Sequence, residues 1–171
     1  EQKQDAYTDP LTGIANRRFI TSHFLHIAQT RPDQYLPFSL LLIDLDNFKS
    51  LNDTHGHDFG DTVLIEFTKL LESQFIATAL KARYGGEEFV VILPQITVSA
   101  ATVMANKFRE AVAGHVMFTD DNKHVSITCS IGIAQVNKVS DYDDSLKQAD
   151  EALYSAKAAG RNRVISNTVY N

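Results

Sequence analysis

Arg83-Tyr84-Gly85-Gly86-Glu87-Glu88-Phe89 is the stretch of sequence that decides how this chain folds. Glycine tolerates tight turns and positive φ, so the glycine pair predicts a turn. Residues 80–84 before it and 89–93 after it are typical of strands, and the segment is therefore predicted to be a β-hairpin. Two adjacent carboxylates, Glu87 and Glu88, leave the turn beside an apolar run. They favour a cation site, although a solvated acidic turn explains this stretch alone equally well.

A second strand is predicted to supply a further carboxylate to the same site. Residues 38–43 are almost continuously apolar, as in a central strand buried on both faces, and they run directly into Asp44-Leu45-Asp46. Because residues i and i+2 share one face of a strand, Asp44 and Asp46 cannot both enter a core unpaired. If this strand lies beside the hairpin, Asp44 meets Glu87, and such oxygen ligands suit Mg²⁺ or Mn²⁺. The alternative is an acidic edge that only affects solubility.

The remaining apolar patterns predict the other elements of one domain, because 171 residues suffice for a single substantial core. They are a helix from near Asn16 to before Pro32, a polar loop at 47–60, a helix from Asp61, a helix at 98–115, a turn-rich connection at 118–123, a strand at 125–136, a helix ending at Gly160 and a short strand at 164–165. This order predicts an α+β fold. We expect a mainly antiparallel sheet flanked by helices, close to a ferredoxin-like palm.

Composition argues against several classes of protein. The net charge of −5 is unlike the basic excess of nucleic-acid-binding surfaces, so we expect no nucleic-acid partner. No apolar run approaches membrane-spanning length and no signal peptide is visible, so we expect no membrane contact by this domain. The single cysteine, Cys129, lies in an alternating apolar strand pattern and is interpreted as a buried small side chain.

Three further groups of polar residues are candidates for binding. His55-Gly56-His57-Asp58 has the spacing of a weak zinc motif, but a hydrogen-bonding loop is the better interpretation. Lys157 and Arg161, four residues apart near the end of the last predicted helix, are either phosphate-binding groups or a solvated face. Asp61 has a carboxylate that could accept from two donors of a guanine edge, with Asn52 as its partner. As structural residues, Asn52 would form a turn and Asp61 would be an acid in the first helical turn.

Six segments, in sequence order, carry a resemblance to a known family. They are Asp9-Pro10-Leu11-Thr12-Gly13-Ile14-Ala15-Asn16-Arg17-Arg18, Asp44-Leu45-Asp46-Asn47-Phe48-Lys49-Ser50-Leu51-Asn52-Asp53, Gly56-His57-Asp58-Phe59-Gly60-Asp61, Gly85 to Phe89, Ser130-Ile131-Gly132-Ile133-Ala134, and Ala152 to Arg163. Together they resemble the GGDEF family of diguanylate cyclases. Glu87 stands where many members have aspartate, so the chain resembles the GGEEF variant, and the fold implied is similar to the palm of nucleotidyl cyclases.

The resemblance implies condensation of two GTP molecules into cyclic di-GMP with release of two pyrophosphates. It also implies two Mg²⁺ or Mn²⁺ ions per active site when GTP is bound. The implied metal ligands are Asp44, Glu87, Glu88 and the carbonyl of Leu45. Glu87 would also be the base for the ribose 3′-hydroxyl, and Glu88 would assist at the second metal or orient the other metal ligands. Lys49 would stabilise the transition state, Asn52 and Asp61 would recognise guanine, His57 would shape the nucleotide pocket, and Lys157 and Arg161 would bind the terminal phosphates.

The resemblance also implies a setting for the domain. One GTP per subunit requires a transient two-fold homodimer, aided by an upstream sensory or dimerisation segment. Residues 1–8 are interpreted as the end of that connecting segment and residues 9–171 as the GGDEF catalytic domain. We expect the domain to be cytoplasmic, in a parent protein that is either soluble or membrane-anchored.

One departure from the family pattern affects regulation. The product-inhibition site of the family begins with Arg-x-x-Asp, where this chain has Ile76-Ala77-Thr78-Ala79, so loss of feedback inhibition is predicted. The alternative functions are a catalytically inactive module that binds GTP or cyclic di-GMP, and a palm-type cyclase or polymerase that acts on another base. The first usually relies on the missing Arg-x-x-Asp, and Asn52 and Asp61 disfavour the second.

Overall fold

A six-stranded sheet forms the centre of the molecule in the computed structural model, which describes residues 5–167. The strands are β1 (Ala15–Asn16), β2 (Phe38–Leu45), β3 (Leu80–Arg83), β4 (Glu88–Pro94), β5 (Val116–Phe118), β6 (His124–Ser126), β7 (Cys129–Val136) and β8 (Val164–Ser166). Their order in the sheet is β1-β3-β4-β2-β7-β8, and β5 pairs with β6 in a separate hairpin. The predicted hairpin is confirmed, because β3 and β4 pair antiparallel across the two glycines.

Helices cover both faces of this sheet. They are α1 (Arg17–Phe19), a π-helical turn (Ile20–Phe24), α2 (Leu25–Thr30), α3 (Pro32–Tyr35), α4 (Phe48–His55), α5 (His57–Gln74), α6 (Val98–Ala113), a 3₁₀ turn (Val139–Asp141) and α7 (Tyr142–Ala158). Among residues 5–167, none of these helices has the length and apolar character needed to cross a bilayer.

The connectivity is that of a ferredoxin-like palm. The segment from β2 to β7 has the order β-α-β-β-α-β, and its strands lie in the order β3-β4-β2-β7 with antiparallel pairing throughout. The edge strands β1 and β8 are added in parallel to β3 and β7. The predicted α+β class and mainly antiparallel sheet are therefore confirmed.

Strand β2 lies at the centre because its side chains are apolar on both faces. Leu41, Ile43 and Leu45 contribute to the core beneath α5 and α6, while Leu40 and Leu42 contribute to the core beneath α2 and α7. All eight residues of β2 are buried, as expected for a strand covered on both sides. By the alternation of strand side chains, Asp44 points to the same face as Leu42, toward α7.

Helix α7 approaches the sheet unusually closely at Gly132 of β7. A Cβ atom added at Gly132 would lie 2.1 Å from the carbonyl oxygen of Ala149 and 2.5 Å from the nitrogen of Leu153. Real Cβ atoms do not make such contacts, so only glycine permits this helix-to-sheet distance. The spacing matters for the site described below because α7 also carries Lys157.

Several predicted elements differ from the structure. The predicted polar loop at 47–60 was wrong: it contains α4 and the start of α5, separated by Gly56 at φ 89°. The segment has too few apolar residues for a visible helical stripe, so its periodicity did not reveal the helix. The strand predicted at 125–136 is divided, because residues 124–126 pair with β5 and only residues 129–136 join the main sheet.

The residues preceding the first helix contact the folded domain. Thr8 forms an isolated antiparallel bridge with Ala15, and the nitrogen of Asn16 donates to the carbonyl of Tyr7 at 3.0 Å. The ring of Tyr7 lies 4.3 Å from that of His23. Residues 1–4 of the predicted connecting segment lie outside the described residues. Residues 168–171 of the predicted catalytic domain also lie outside them.

Candidate active site

The carboxylates predicted to form a site meet where β2 ends beside the hairpin turn. Asp44 is the direct register partner of Glu88 in the antiparallel β2–β4 pair, so both side chains point to the same face. The next residue, Leu45, donates its backbone N–H to the carbonyl of Glu87 at 3.2 Å. The sheet therefore brings together the four residues predicted to bind metal, although the direct neighbour of Asp44 is Glu88 and not Glu87.

Asp44 is a buried carboxylate with only half of its hydrogen-bonding capacity used. It is 6% exposed, and Nζ of Lys157 donates to its Oδ2 at 2.5 Å. Its Oδ1 is buried and has no partner among the described residues. The pKa of Asp44 is raised from 3.8 to about 6, mainly by burial. The bond and charge of Lys157 oppose this rise, and the charges of Glu87 and Glu88 contribute to it.

Glu88 shares this electrostatic environment. Burial raises the pKa of Glu88, and so does the nearby Asp150 on α7, while Lys157 has the opposite effect. A site that contains Asp44, Glu87 and Glu88 therefore has more negative charge than Lys157 can neutralise. Such a site favours the binding of additional cations.

An arginine clamp fixes the hairpin turn from outside. Nε of Arg83 donates to the carbonyls of Gly85 and Gly86 at 3.2 Å, and Nη2 donates to Gly86 at 2.8 Å. Nη1 of Arg83 contacts both carboxylate oxygens of Asp9 at 3.2 Å. Asp9 also accepts from the backbone N–H and the hydroxyl of Thr12. The turn that carries Glu87 is thus attached to the Asp9–Thr12 turn near the start of the chain.

Asp46 has a different role from the one its spacing suggested. The sequence grouped it with Asp44 as a possible cation ligand, but its carboxylate already accepts three hydrogen bonds. Oδ1 accepts from Ser130 at 2.7 Å, and Oδ2 accepts from Thr128 at 2.7 Å and from the nitrogen of Asn162 at 3.0 Å. Asp46 is therefore a structural carboxylate that joins β2, β7 and the loop after α7.

The predicted guanine-recognition residues lie on two adjacent helices. Asn52 on α4 packs against Gly60 of α5, where an added Cβ would lie 1.8 Å from its Oδ1. That Oδ1 is buried and has no partner among the described residues. Asp61, the next residue after Gly60, is exposed. The unpaired oxygen of Asn52 and the carboxylate of Asp61 therefore lie on neighbouring helices, with Gly60 between them. Together they are acceptors for a ligand with several N–H donors.

Three predicted site residues are exposed and make no hydrogen bond to the carboxylate cluster within the described part of the chain. Lys49 lies on the first turn of α4, and His57 begins α5 and lines a cavity of about 680 Å³ that extends to the β5–β6 hairpin. Arg161 lies beyond α7, which ends at Ala158, with a positive φ of 64°. The helix was predicted to end at Gly160, and it ends two residues earlier, at Ala158. Gly160, at φ 125°, therefore separates Arg161 from the helix that carries Lys157.

The donor set fits a hard cation at an open site. In residues 5–167, no three His, Cys, Asp or Glu side chains are arranged to hold a metal ion by themselves. However, the unpaired Oδ1 of Asp44 is a buried anionic oxygen beside two further carboxylates. Carboxylate and carbonyl oxygens are ligands of Mg²⁺, which is usually bound by one or two carboxylates together with substrate phosphates. Asp44, Glu87 and the carbonyl of Leu45 would hold it.

The sequence reasoning missed the functional geometry around Arg83. Arg83 and Asp9 were both quoted as parts of motifs, but neither was given a role. An arginine directly before a glycine turn, with free carbonyls within its reach, was the available signal. Its partner is 74 positions away in the sequence, so spacing alone could not identify Asp9.

The comparisons with known proteins agree with this geometry. Residues 6–163 match the family model described as "Diguanylate cyclase, GGDEF domain". The chain is 43% identical over 162 residues to the response regulator PleD of Caulobacter vibrioides, covering 94% of this chain and 36% of PleD. It is 40% identical over 171 residues to the diguanylate cyclase DgcM of Escherichia coli, covering 94% of this chain and 38% of DgcM.

Solved structures with this fold include one described as the GGDEF domain of DgcB from Caulobacter crescentus in complex with c-di-GMP. It has a TM-score of 0.87 and 30% identity, covering 97% of this chain and 98% of that chain. Another is described as the active GGEEF domain of a diguanylate cyclase from Vibrio cholerae, with a TM-score of 0.78 and 35% identity, covering 91% and 98% of the two chains.

The match covers nearly all of this chain but only part of each longer relative. The chain spans 36% of PleD and 38% of DgcM. The family model, by contrast, extends from residue 6 to residue 163 and includes the palm, the glycine hairpin and the cluster around Asp44. The chain belongs to the GGDEF domain family.

Proposed function

We propose that this chain is the catalytic domain of a diguanylate cyclase, which condenses two GTP molecules into cyclic di-GMP and releases two pyrophosphates. The observation that carries the proposal is the unpaired, buried Oδ1 of Asp44 beside Glu87 and Glu88. A buried carboxylate oxygen without a partner destabilises the fold, and a ligand that pairs with this oxygen explains why it is there. Family membership and the named cyclases among the relatives support the same activity.

Asp44, Glu87 and the carbonyl of Leu45 would hold Mg²⁺ or Mn²⁺ at this site, with Glu88 supporting them. Two such ions, when bound with GTP, would polarise the α-phosphoryl group and lower the pKa of the attacking 3′-hydroxyl. Glu87 would accept the hydroxyl proton, because it is a half-buried carboxylate on the turn whose charge acts on Asp44. The clamp formed by Arg83 would keep this turn in one conformation during the reaction.

The cationic residues would bind the phosphates. Lys157 contacts Asp44 in the structure, so its Nζ is already at the carboxylate cluster and would bind the terminal phosphates once Asp44 pairs with a metal ion. Arg161 lies four residues further along and can hold two phosphate oxygens together. Lys49, exposed on α4, would stabilise charge that develops on the phosphoryl group.

Guanine would be selected on the α4–α5 side of the site. Oδ1 of Asn52, which has no partner among the described residues, would accept one hydrogen bond, and the carboxylate of Asp61 would accept two. This set of acceptors suits the N–H groups of guanine and not those of adenine. His57, which lines the neighbouring cavity, would shape the nucleotide pocket. This assignment disfavours a palm enzyme that uses another base.

Two copies of the domain would be needed for one reaction. Each carries one set of site residues, and the ring of cyclic di-GMP contains two equivalent phosphodiester bonds, so a two-fold homodimer would place two GTP molecules antiparallel. An upstream segment would raise the effective concentration of the second copy. One solved relative, described as the coiled coil and GGDEF domain of DgcB from Caulobacter crescentus, supports such a segment. Another, described as the diguanylate cyclase SiaD in complex with its activator SiaC from Pseudomonas aeruginosa, shows that a relative of this chain has a protein partner.

Product inhibition through Arg-x-x-Asp would be absent. The corresponding residues, Ile76 to Ala79, carry neither a guanidinium nor a carboxylate, and Ile76 is 46% exposed. Cyclic di-GMP is therefore expected not to inhibit the enzyme non-competitively at sub-micromolar concentrations. Initial rates measured with added cyclic di-GMP test this, and strong non-competitive inhibition would contradict it.

The activity is tested by incubating a dimerised form of the domain with GTP and Mg²⁺ and separating the products by chromatography. We expect cyclic di-GMP from the wild type and a loss of at least about 100-fold for Glu87→Gln, which removes a metal ligand and the base. Glu66→Gln, an exchange of the same chemistry on the remote surface of α5, is the matched control. GTP binding without turnover by the wild type would instead favour an inactive GTP-binding module.

A further inference from the structure

We propose that Asp46 is a positioning residue that holds the loop carrying Arg161 at the end of β2. The inference rests on the proposed function for one point only, the binding of a phosphate group by Arg161. It assigns Asp46 to the loop after α7, although Asp46 lies only two residues from Asp44 in the sequence.

The carboxylate of Asp46 is fully engaged in hydrogen bonds. It is 6% exposed, and its three donors come from Thr128, Ser130 and the backbone of Asn162. Ser130 belongs to β7, which pairs with β2, and Thr128 directly precedes β7, so their hydroxyls fix the carboxylate relative to the sheet. The third bond then connects this fixed carboxylate to a loop that is not part of the sheet.

That loop has a conformation that needs an external support. Gly160, Arg161 and Asn162 have φ angles of 125°, 64° and 46°, so two non-glycine residues in succession are in the left-handed region. Such a conformation is unfavourable for L-residues and persists only when surrounding contacts determine it. The backbone of the loop is held by bonds from the nitrogen of Gly160 to Lys157, from the nitrogen of Arg161 to Ala156 and from Nε of Arg163 to the carbonyl of Arg161. The bonds that tie it to other elements are those from Asn162 to Asp46 and from Arg109 to Asn162.

The chemistry requires an acid at position 46. A carboxylate accepts from the two hydroxyls and from the N–H of Asn162 at the same time, whereas an amide has only one acceptor oxygen. In Asp46→Asn, the amide oxygen can still face Thr128 and Asn162 while the NH₂ group faces the hydroxyl of Ser130, but the bond to the loop loses the charge of the carboxylate and is weaker. Arg161 would lose its fixed position, while Asp44 and Glu87 would keep theirs.

The experiment compares Asp46→Asn with Ser39→Ala, which removes a buried hydroxyl hydrogen bond at the opposite end of β2. Hydrogen exchange of the ligand-free protein tests the anchor without any assumption about function. We expect exchange at the amide of Asn162 to be at least about 10-fold faster in Asp46→Asn and unchanged in Ser39→Ala. Unchanged exchange in Asp46→Asn would overturn the inference.

Binding of magnesium pyrophosphate, measured by calorimetry, tests the consequence for Arg161. We expect about 10-fold weaker binding in Asp46→Asn and in Arg161→Ala, and no further loss in the double variant, because Asp46 acts through Arg161. Affinity for Mn²⁺ alone, measured by electron paramagnetic resonance, is expected to be unchanged in Asp46→Asn.

Each remaining outcome has a distinct meaning. Additive losses in the double variant, a loss of Mn²⁺ affinity in Asp46→Asn, or no pyrophosphate binding by the wild type would overturn the positioning role. Pyrophosphate binding with the expected coupling, but without formation of cyclic di-GMP by the wild type, would refute the proposed function and leave the positioning role intact.

Discussion

Two aspartates at the end of β2 differ in their surroundings far more than in their positions. Asp44 and Asp46 are both 6% exposed and lie on the same side of the strand. Asp46 accepts three hydrogen bonds, whereas one oxygen of Asp44 has no partner in the described structure. A buried carboxylate with all its partners stabilises the fold, and one without them is kept at the expense of stability. The difference separates the structural region around Asp46 from the reactive region around Asp44.

The largest effect is expected for the enzymatic activity of a variant at Asp44. If the proposed function is correct, Asp44→Asn is expected to reduce cyclic di-GMP formation by at least about 100-fold, because the proposed metal ligand is lost. The free energy of unfolding of the metal-free domain is expected not to fall, because a buried charge with an unpaired oxygen is removed. Product chromatography and urea unfolding measure the two quantities. Retained activity or a marked loss of stability would contradict this prediction, because it would show that Asp44 stabilises the fold and does not bind the metal ion.

A substitution at Asp46 is expected to lower the stability of the domain. Asp46→Ala leaves two hydroxyls and one backbone N–H without their acceptor, and it is expected to cost about 3 kcal/mol in the free energy of unfolding. Urea unfolding of the metal-free domain measures this loss. Asp44→Ala is the matched comparison, with an expected loss of less than about 1 kcal/mol. Equal losses for the two alanine variants would remove the distinction between the two regions.

The pH dependence of stability provides a third test. The pKa of Asp44 is raised to about 6 in the folded domain, mainly by burial, so the folded state binds a proton more tightly than the unfolded state. Stability is therefore expected to fall as pH rises from about 4 to about 6, by on the order of 2 kcal/mol. Unfolding in the presence of a chelator measures the slope. Asp44→Asn should reduce this slope, and an unchanged slope would contradict the assignment.

The smallest expected effect concerns Asp9, a third carboxylate with satisfied hydrogen bonds. Burial raises its pKa, but the hydrogen bonds from Thr12 and the charge of Arg83 outweigh burial, so the pKa of Asp9 is lowered. Its contribution to stability is present above the unfolded-state pKa and is lost as pH falls through the lower folded-state pKa. Asp9→Asn is expected to cost about 1 kcal/mol at neutral pH and less in acid.

A double-mutant cycle with Arg83→Met provides the control for Asp9. Because Asp9 and Arg83 are in direct contact, the two losses in the free energy of unfolding are expected not to add. Additive losses would show that the clamp is not a single interacting unit. The same variants, assayed for cyclic di-GMP, would show whether loosening the turn also lowers the rate.

The fold could be predicted from sequence because its determining signals are local. Two glycines between strand-like runs indicated the hairpin, and a continuous apolar run indicated the central strand. The helix α4 was missed because a short helix at the surface carries little apolar periodicity. The motifs predicted that Asp44 lies near the carboxylates of the hairpin, and the register of β2 and β4 pairs Asp44 with Glu88 and not with Glu87.

The different roles of Asp44 and Asp46 could not be predicted from sequence. Their residue type is identical and their spacing places them on one face. What separates them is the set of hydrogen-bond partners, and the partners of Asp46 lie 82, 84 and 116 positions away in the chain. Contacts at such separations depend on the packing of β7 and of the loop after α7, which no local pattern encodes. The same reason explains why Asp9 was not recognised as the partner of Arg83.

The close approach of α7 to Gly132 has a consequence for how this domain tolerates sequence change. Lys157 reaches Asp44 from a helix whose distance from the sheet depends on a missing side chain. Adding one methyl group at Gly132 would force α7 outward, and a displacement of about 1 Å at reacting groups can lower a rate by about 100-fold. Position 132, which is buried and has no side chain to contact a substrate, would therefore behave in a mutational scan like a residue of the proposed active site.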